Sequence, residues 1–268
     1  MKRTLFLFLF ILLLTSFPAI LSAESPNPDL NELITAPESN VHRNSVNQAS
    51  TSYNDLNSRI RDSRISKPAA RAELAQRLAA VRKDHYLRGG KDYTAAEWVF
   101  PLAGYGIRAI DGGRSHGFVP GGYDFFSGNR HGGHPAYDIF IRDRNQDNLD
   151  DRTGKPVRVL SMTGGIVVAM ERDWERSSKL RGGKYLWVYD PANDLLVYYA
   201  HNDQLLVQLG DIVKPGDDLG TVGRSGLNAA KRRSPTHLHF SVLRLVDGKP
   251  QPLNVYASLQ HTRLIAAQ

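Results

Sequence analysis

From about Trp98 onward the chain reads in short apolar runs, each cut off by a turn signal. Val157-Arg158-Val159-Leu160 and Gly165-Ile166-Val167-Val168-Ala169 are strand-like, and His239 to Val246 is another such run. Lys184–Tyr189 and Leu195–Ala200 flank Asp190-Pro191-Ala192-Asn193-Asp194, the signature of a β-hairpin. Gly210-Asp211, Pro215-Gly216 and Gly220 continue the punctuation. Strands this short, broken this often, predict a mainly β fold: an antiparallel β sandwich or open barrel. The 23 glycines against 14 prolines favour the same turn-rich architecture over a helical bundle.

Upstream the pattern differs. Lys2 and Arg3 precede an apolar run, Leu5 to Leu14, and small residues follow to Ala23. This reads as a secretory signal peptide over residues 1–23. Residues 24–52 are polar and rich in Ser, Asn and Pro, as in a disordered spacer. A helical period begins at Tyr53. Ser66 is placed to cap a helix with Pro68 in its first turn. Leu74, Leu78 and Val81 then share one face, and Arg88-Gly89-Gly90 ends the segment. Residues 53–95 are therefore expected to form a helical extension, too small for a core of its own, that packs on the main domain or serves as a pro-segment. Residues 24–95 are expected to be dispensable for folding of a domain at 96–260, with a tail at 261–268.

Composition narrows the chemistry. The chain has no cysteine, which excludes disulfides, thiolate nucleophiles and thiolate zinc sites. Any metal must sit on imidazoles and carboxylates, and there are nine histidines. The net charge is +7, or +5 without Lys2 and Arg3, and a mildly basic exported chain suits an anionic partner such as a cell wall. Gly-x-Gly segments such as Gly104-Tyr105-Gly106 lack a following helix, so no nucleotide site and no nucleic-acid partner are expected.

Three histidine clusters stand out. His134 and Asp138 lie four residues apart, about 13 Å in a straight strand, but Pro135 implies a bend that would bring both onto one ion. His237 and His239 are at i and i+2 of a strand, on one face about 7 Å apart, with Leu238 turned to the core. His201 closes the strand Tyr198-Tyr199-Ala200. His131 is a rival ligand in the Gly-rich loop before His134.

Taken together, H-x-x-x-D, a Tyr-Ala-His at a strand end, a Gly/Pro-rich stretch and H-x-H-F resemble the lysostaphin-like zinc metallopeptidases, which cut peptide bonds in bacterial peptidoglycan. The resemblance covers Phe100 to Leu259, and Gly164-Gly165-Ile166-Val167, Gly223-Arg224-Ser225-Gly226, Asn254 and Tyr256 support it. It implies the duplicated-hybrid-motif fold of that family and a zinc ion held by His134, Asp138 and His239. It also implies that His201 and His237 are an unligated catalytic pair, one acting as general base and the other on the oxyanion or leaving amine. The implied substrate is the peptide stems or cross-bridges of peptidoglycan. The implied location is outside the cytoplasm, with no stable membrane span once the signal is removed. A non-catalytic wall-binding or amidase-regulating relative of the same fold is the alternative.

The chain departs from the family pattern at Ala136, Asn202 and Ser241, and carries a longer segment, Asn228–Pro235, with Lys231-Arg232-Arg233. These departures bear on substrate preference. Asp143–Asp151 has oxygen side chains spaced like the start of a calcium loop, but Asn148 and Gly154 stand where that loop wants Gly and Glu. It reads as an acidic surface loop, with calcium as the second reading.

Overall fold

In a computed structural model of the chain, the structure describes residues 48–110 and 112–267. They fall in one compact unit, Ser39–Gln268. The expected signal peptide and most of the expected spacer lie outside the described residues.

Two helices come first. Helix α1 (Gln48–Arg61) starts five residues before Tyr53 and buries Tyr53, Leu56 and Ile60. Helix α2 (Lys67–Leu87) begins at the expected cap: the Ser66 side chain accepts a bond from the Ala69 amide. Leu74, Leu78 and Val81 are all buried, as their spacing predicts. The helix stops where Gly89 takes φ +81°, a conformation glycine adopts without strain.

The strands follow in order: β1 (Tyr137–Phe140), β2 (Leu149–Asp150), β3 (Lys155–Pro156), β4 (Arg158–Leu160) and β5 (Gly165–Glu171). Then come β6 (Lys184–Asp190), β7 (Leu195–Leu205), β8 (Ile212–Val213), β9 (Asp218–Val222), β10 (His237–Val246) and β11 (Lys249–Pro252). A single turn of helix, α3 (Tyr256–Leu259), closes the chain. Apart from a β2–β3 ribbon, all strands join one antiparallel sheet of nine, with the path β1-β10-β7-β6-β5-β8. The fold is mainly β and antiparallel, as expected. The β6–β7 hairpin forms across Asp190–Asp194, where Asp190 accepts bonds from the Ala192 and Asn193 amides. Instead of two separate sheets there is one sheet that forks at β7. Residues 195–200 pair with β10, whereas Asn202–Leu205 pair with β9, and β9 pairs with β4.

Alternation along each strand builds two cores. One face carries Leu186, Val188, Val197, Tyr199, Leu238 and Phe240, packed with Val159, Leu219 and Val222 of the β4–β9 arm. The other face carries Val168, Tyr185, Trp187, Tyr189, Leu196 and Leu243, packed with Tyr53, Leu56, Leu74, Leu78 and Val81 of the two helices. The helices therefore pack on the main domain, one of the two readings of this segment. The helices are too small to have a core of their own, and they share one with the sheet instead. Ion pairs reinforce the seam, Arg61 with Glu171 at 2.8 Å and Arg82 with Asp194. Among the described residues, no helix is long and apolar enough to cross a membrane.

Candidate active site

Strand register assembles the site from distant parts of the sequence. Asp138 of β1 pairs with His239 of β10, and His239 pairs with Ala200 of β7, one residue before His201. On β10, Leu238 enters the core while His237 and His239 face the opposite side, as the i, i+2 spacing predicts. His134 makes a bridge with Val119, and the chain turns at Pro135 before β1. The bend brings His134 Nε2 to 3.3 Å from Asp138 Oδ1, not the 13 Å of a straight strand.

Asp138 Oδ1 is the meeting point. His134 Nε2 lies 3.3 Å from it, His239 Nδ1 3.0 Å and His237 Nε2 3.7 Å. Among the described residues, His134, Asp138 and His239 form the one cluster of three potential ligands, with ligand atoms all within 4.8 Å of one another. His134 donates its Nδ1 proton to Gly117 O at 2.8 Å, which fixes the tautomer and frees Nε2 to ligate. Two imidazoles and a carboxylate, without sulfur, make a donor set that fits zinc and leaves a coordination position open.

His201 and His237 stand beside this cluster, ring centroids 4.9 Å apart. Each gives its Nδ1 proton to a main-chain carbonyl, His201 to Ser225 O and His237 to Pro235 O, both at 2.7 Å. Their Nε2 atoms are left as acceptors.

His201 is held at φ +66°, a region β-strand residues other than glycine seldom enter. The strain coincides with the fork in β7. Asn202 spans the fork, its amide donating to Tyr199 O at 3.0 Å and Lys184 O at 3.1 Å. Ser225 Oγ accepts from the Lys184 amide at 2.8 Å and donates to Asn202 O at 2.7 Å. One serine thus ties β6 to β7 beside His201 and, through its carbonyl, holds the imidazole itself.

Electrostatics follow from burial and proximity. For Asp138, burial works against ionisation, but hydrogen bonds from His134 and His239 outweigh it and hold the carboxyl far below its usual range. The same contact with Asp138 raises the pKa of His134. Burial, then the neighbouring His237 and His239, push His201 well down, and burial also lowers His239.

The site opens into a groove of about 340 Å³. One wall is α1, through Asn57, Ile60 and Arg61, and Trp187 and Tyr198 stack at its floor with centroids 4.4 Å apart. His131 lines the groove but turns Nδ1 to Gly132 O and sets its ring edge-on to Tyr123, so it stays outside the metal cluster. The Asp143 carboxylate is buried and accepts from the Asp147 and Asn148 amides and from Thr236 Oγ1, which ties the loop to the segment before β10. His85 is buried at the end of α2, and His116 stacks on Tyr256 at 3.7 Å between centroids. The α1 wall, the Ser225 tie and the Arg181 side chain, which lines the same groove, escaped the sequence reading.

Residues 148–254 match the model of peptidase family M23. His201, His237 and His239 fall within the match, whereas His134 and Asp138 precede it and join only through β1–β10 pairing. Similar solved structures include a proposed glycyl-glycine endopeptidase of Ruminococcus gnavus, 27% identical with a TM-score of 0.37, covering 49% of each chain. A zinc-containing peptidase of Vibrio cholerae is 24% identical with a TM-score of 0.32, over 50% of this chain and 33% of that one. Lysostaphin of Staphylococcus simulans is 21% identical with a TM-score of 0.35, over 54% of this chain and 50% of that one. The chain therefore spans a third to a half of the length of these relatives. No curated protein matches it.

Proposed function

We propose that this chain, whose residues 148–254 match the model of peptidase family M23, is a zinc endopeptidase acting outside the cytoplasm on the peptide stems or cross-bridges of peptidoglycan. The observation that carries the reading is the convergence of His134 Nε2 and His239 Nδ1 on Asp138 Oδ1, with two further imidazoles alongside in one groove. His134, Asp138 and His239 are the zinc ligands. When bound, zinc polarises the scissile carbonyl and lowers the pKa of a coordinated water. His201 and His237 are the catalytic pair. Each presents an Nε2 lone pair to the groove, with Nδ1–H anchored to a carbonyl that resists reorientation. One takes a proton from the attacking water at Nε2. The other, once protonated, donates at Nε2 to the oxyanion or the leaving amine. The charged, apolar-cored start of the sequence, and the net positive charge that remains once Lys2 and Arg3 are removed with it, support export to an anionic wall.

The test is metal content by plasma mass spectrometry beside muropeptide release from purified sacculi. His134→Ala, Asp138→Ala and His239→Ala are expected to lose zinc and activity together. His201→Ala and His237→Ala are expected to keep zinc and lose about a hundredfold or more in rate. Zinc lost from the His237 variant but kept by the His239 variant would invert the assignment within the pair. Wild type that holds zinc yet releases nothing from any wall type would favour the wall-binding or amidase-regulating alternative.

A further inference from the structure

Three charged side chains line the groove: Arg61, Asp138 and Arg181. Asp138 is committed to the imidazoles. Arg61 is neutralised twice, by Asp62 at 2.7 Å and by Glu171 at 2.8 Å. Arg181 differs from both. Among the described residues it makes no ion pair, and its hydrogen bonds run from Nη1 to two main-chain carbonyls, Asn129 O at 3.4 Å and His131 O at 3.2 Å. Both bonds are long, and both use one nitrogen. Nε and Nη2 have no protein acceptor among the described residues, which leaves one edge of the guanidinium fork to solvent.

The base of this side chain is fixed beside the catalytic pair. Gly182 O accepts the His201 amide at 3.0 Å, and Leu180 O accepts the Leu227 amide at 2.9 Å. A Cβ at Gly226 would come within 2.4 Å of Arg181 O, so the main chain here is clamped against the segment that holds His201. The tip reaches the opposite lip, to carbonyls just before His134. Arg181 therefore crosses the groove from the His201 side to the His134 side, with a planar donor edge unspent and no protein carboxylate to meet it. Such an edge matches a carboxylate with two parallel hydrogen bonds, a geometry lysine lacks.

We propose that Arg181 is a specificity-determining residue that reads a carboxylate on the peptide substrate close to the scissile bond, so that the groove selects acid-bearing peptides over neutral ones. The proposal rests on the peptidase reading above and adds the substrate class to it. The carboxylate has two sources in a cross-linked peptide: an acid pendant on a residue beside the cross-link, or a free C-terminus.

The test uses the zinc-loaded full chain and three cross-linked stem peptides: unmodified, side-chain-amidated next to the cross-link, and C-terminally amidated. Wild type is expected to cleave the unmodified peptide with a kcat/KM about tenfold or more above one amidated form, and that form identifies the source. In Arg181→Gln, at unchanged zinc content, the ratio should fall toward one, and Arg181→Lys should restore only part of it. Equal rates on all three peptides with wild type would overturn the proposal while leaving the peptidase reading intact. A ratio undiminished in Arg181→Gln would overturn it too. Zinc-loaded wild type that cuts none of the three would overturn the peptidase reading and this inference with it.

Discussion

Strand β10 carries two different surfaces on one face. Leu243 and Leu245 lie under the helical hairpin, and Ser241, His239 and His237 continue the same alternation into the groove. The opposite face of the strand is apolar at Leu238, Phe240 and Val242, before the exposed Arg244. What separates the two halves of the shared face is where α1 ends. Its last turn supplies Ile60 and Arg61 to the groove wall, and beyond it the sheet is open to a substrate. The helices thus close the part of the sheet that has no chemistry and frame the part that has. Stability should depend on the first half and turnover on the second.

The largest expected effect would break this division if it failed. Leu243 is fully buried between the sheet and the hairpin. Leu243→Asp places an unpaired carboxylate there, and a loss of about 4 kcal/mol or more is expected in urea unfolding, enough to leave a marginal domain largely unfolded. Two positions along the same face, Ser241 donates to Pro135 O, and Ser241→Ala should cost only about 1 kcal/mol. Similar losses from both would show that the two halves are not distinct.

A smaller effect is expected where the halves meet His201 and His237, the proposed catalytic pair. Ser225 Oγ bonds the Lys184 amide and Asn202 O, and Ser225→Ala leaves both buried groups short of a partner. A stability loss of about 1–3 kcal/mol is expected. The carbonyl that holds His201 remains, but the main chain carrying it is freed, and a misplacement of a catalytic group by about 1 Å costs up to about a hundredfold. Zinc content should not change, since Ser225 touches none of the three ligands. Loss of zinc from this variant, or an unchanged kcat, would remove Ser225 as a positioning residue.

These particulars also show what a sequence discloses. The His-x-His face, the Pro135 bend, the Asp190–Asp194 hairpin and the Ser66 cap are local, set by periods of two or 3.6 residues and by turn chemistry, and each was legible. The β1–β10 pairing that aligns Asp138 with His239 spans about a hundred residues, and no local pattern states which strands will meet. Ordered family motifs supplied that pairing indirectly. Nothing supplied the left-handed His201, because its strain is imposed by a fork in β7 that exists only once β9 and β10 compete for the strand. The shared helix–sheet core was legible only as one of two alternatives, because Leu74, Leu78 and Val81 announce a buried face without saying what buries it. Arg181 was hidden because an arginine in a loop reads as solvated until its neighbours are known to lack a carboxylate.

The smallest expected effect probes the helical half by pH. His85 is fully buried at the end of α2, and its ring fills the space where a Cβ on Gly90 would lie, 2.3 Å from the ring atoms. Burial pushes its pKa below 6.5, with Asp92 and Asp84 working against that shift and Arg88 with it. The folded state therefore holds the neutral ring, while the unfolded chain takes up a proton below about pH 6.5. Stability from this group is present above that pH and is lost as pH falls toward the lower folded-state pKa. Zinc-loaded wild type should lose more Tm between pH 7.5 and 5.5 than His85→Leu does, by about 2 °C. Protonation of the groove histidines is common to both proteins, so the difference isolates the hairpin. Arg88, three residues on, donates to Gly210 O at 2.7 Å and pins this end of α2 to the sheet domain. The destabilisation should therefore appear as faster amide exchange in α2 before any loss of zinc. Parallel Tm curves for the two proteins would show that the ring titrates normally, and that the helix end is looser than its packing indicates.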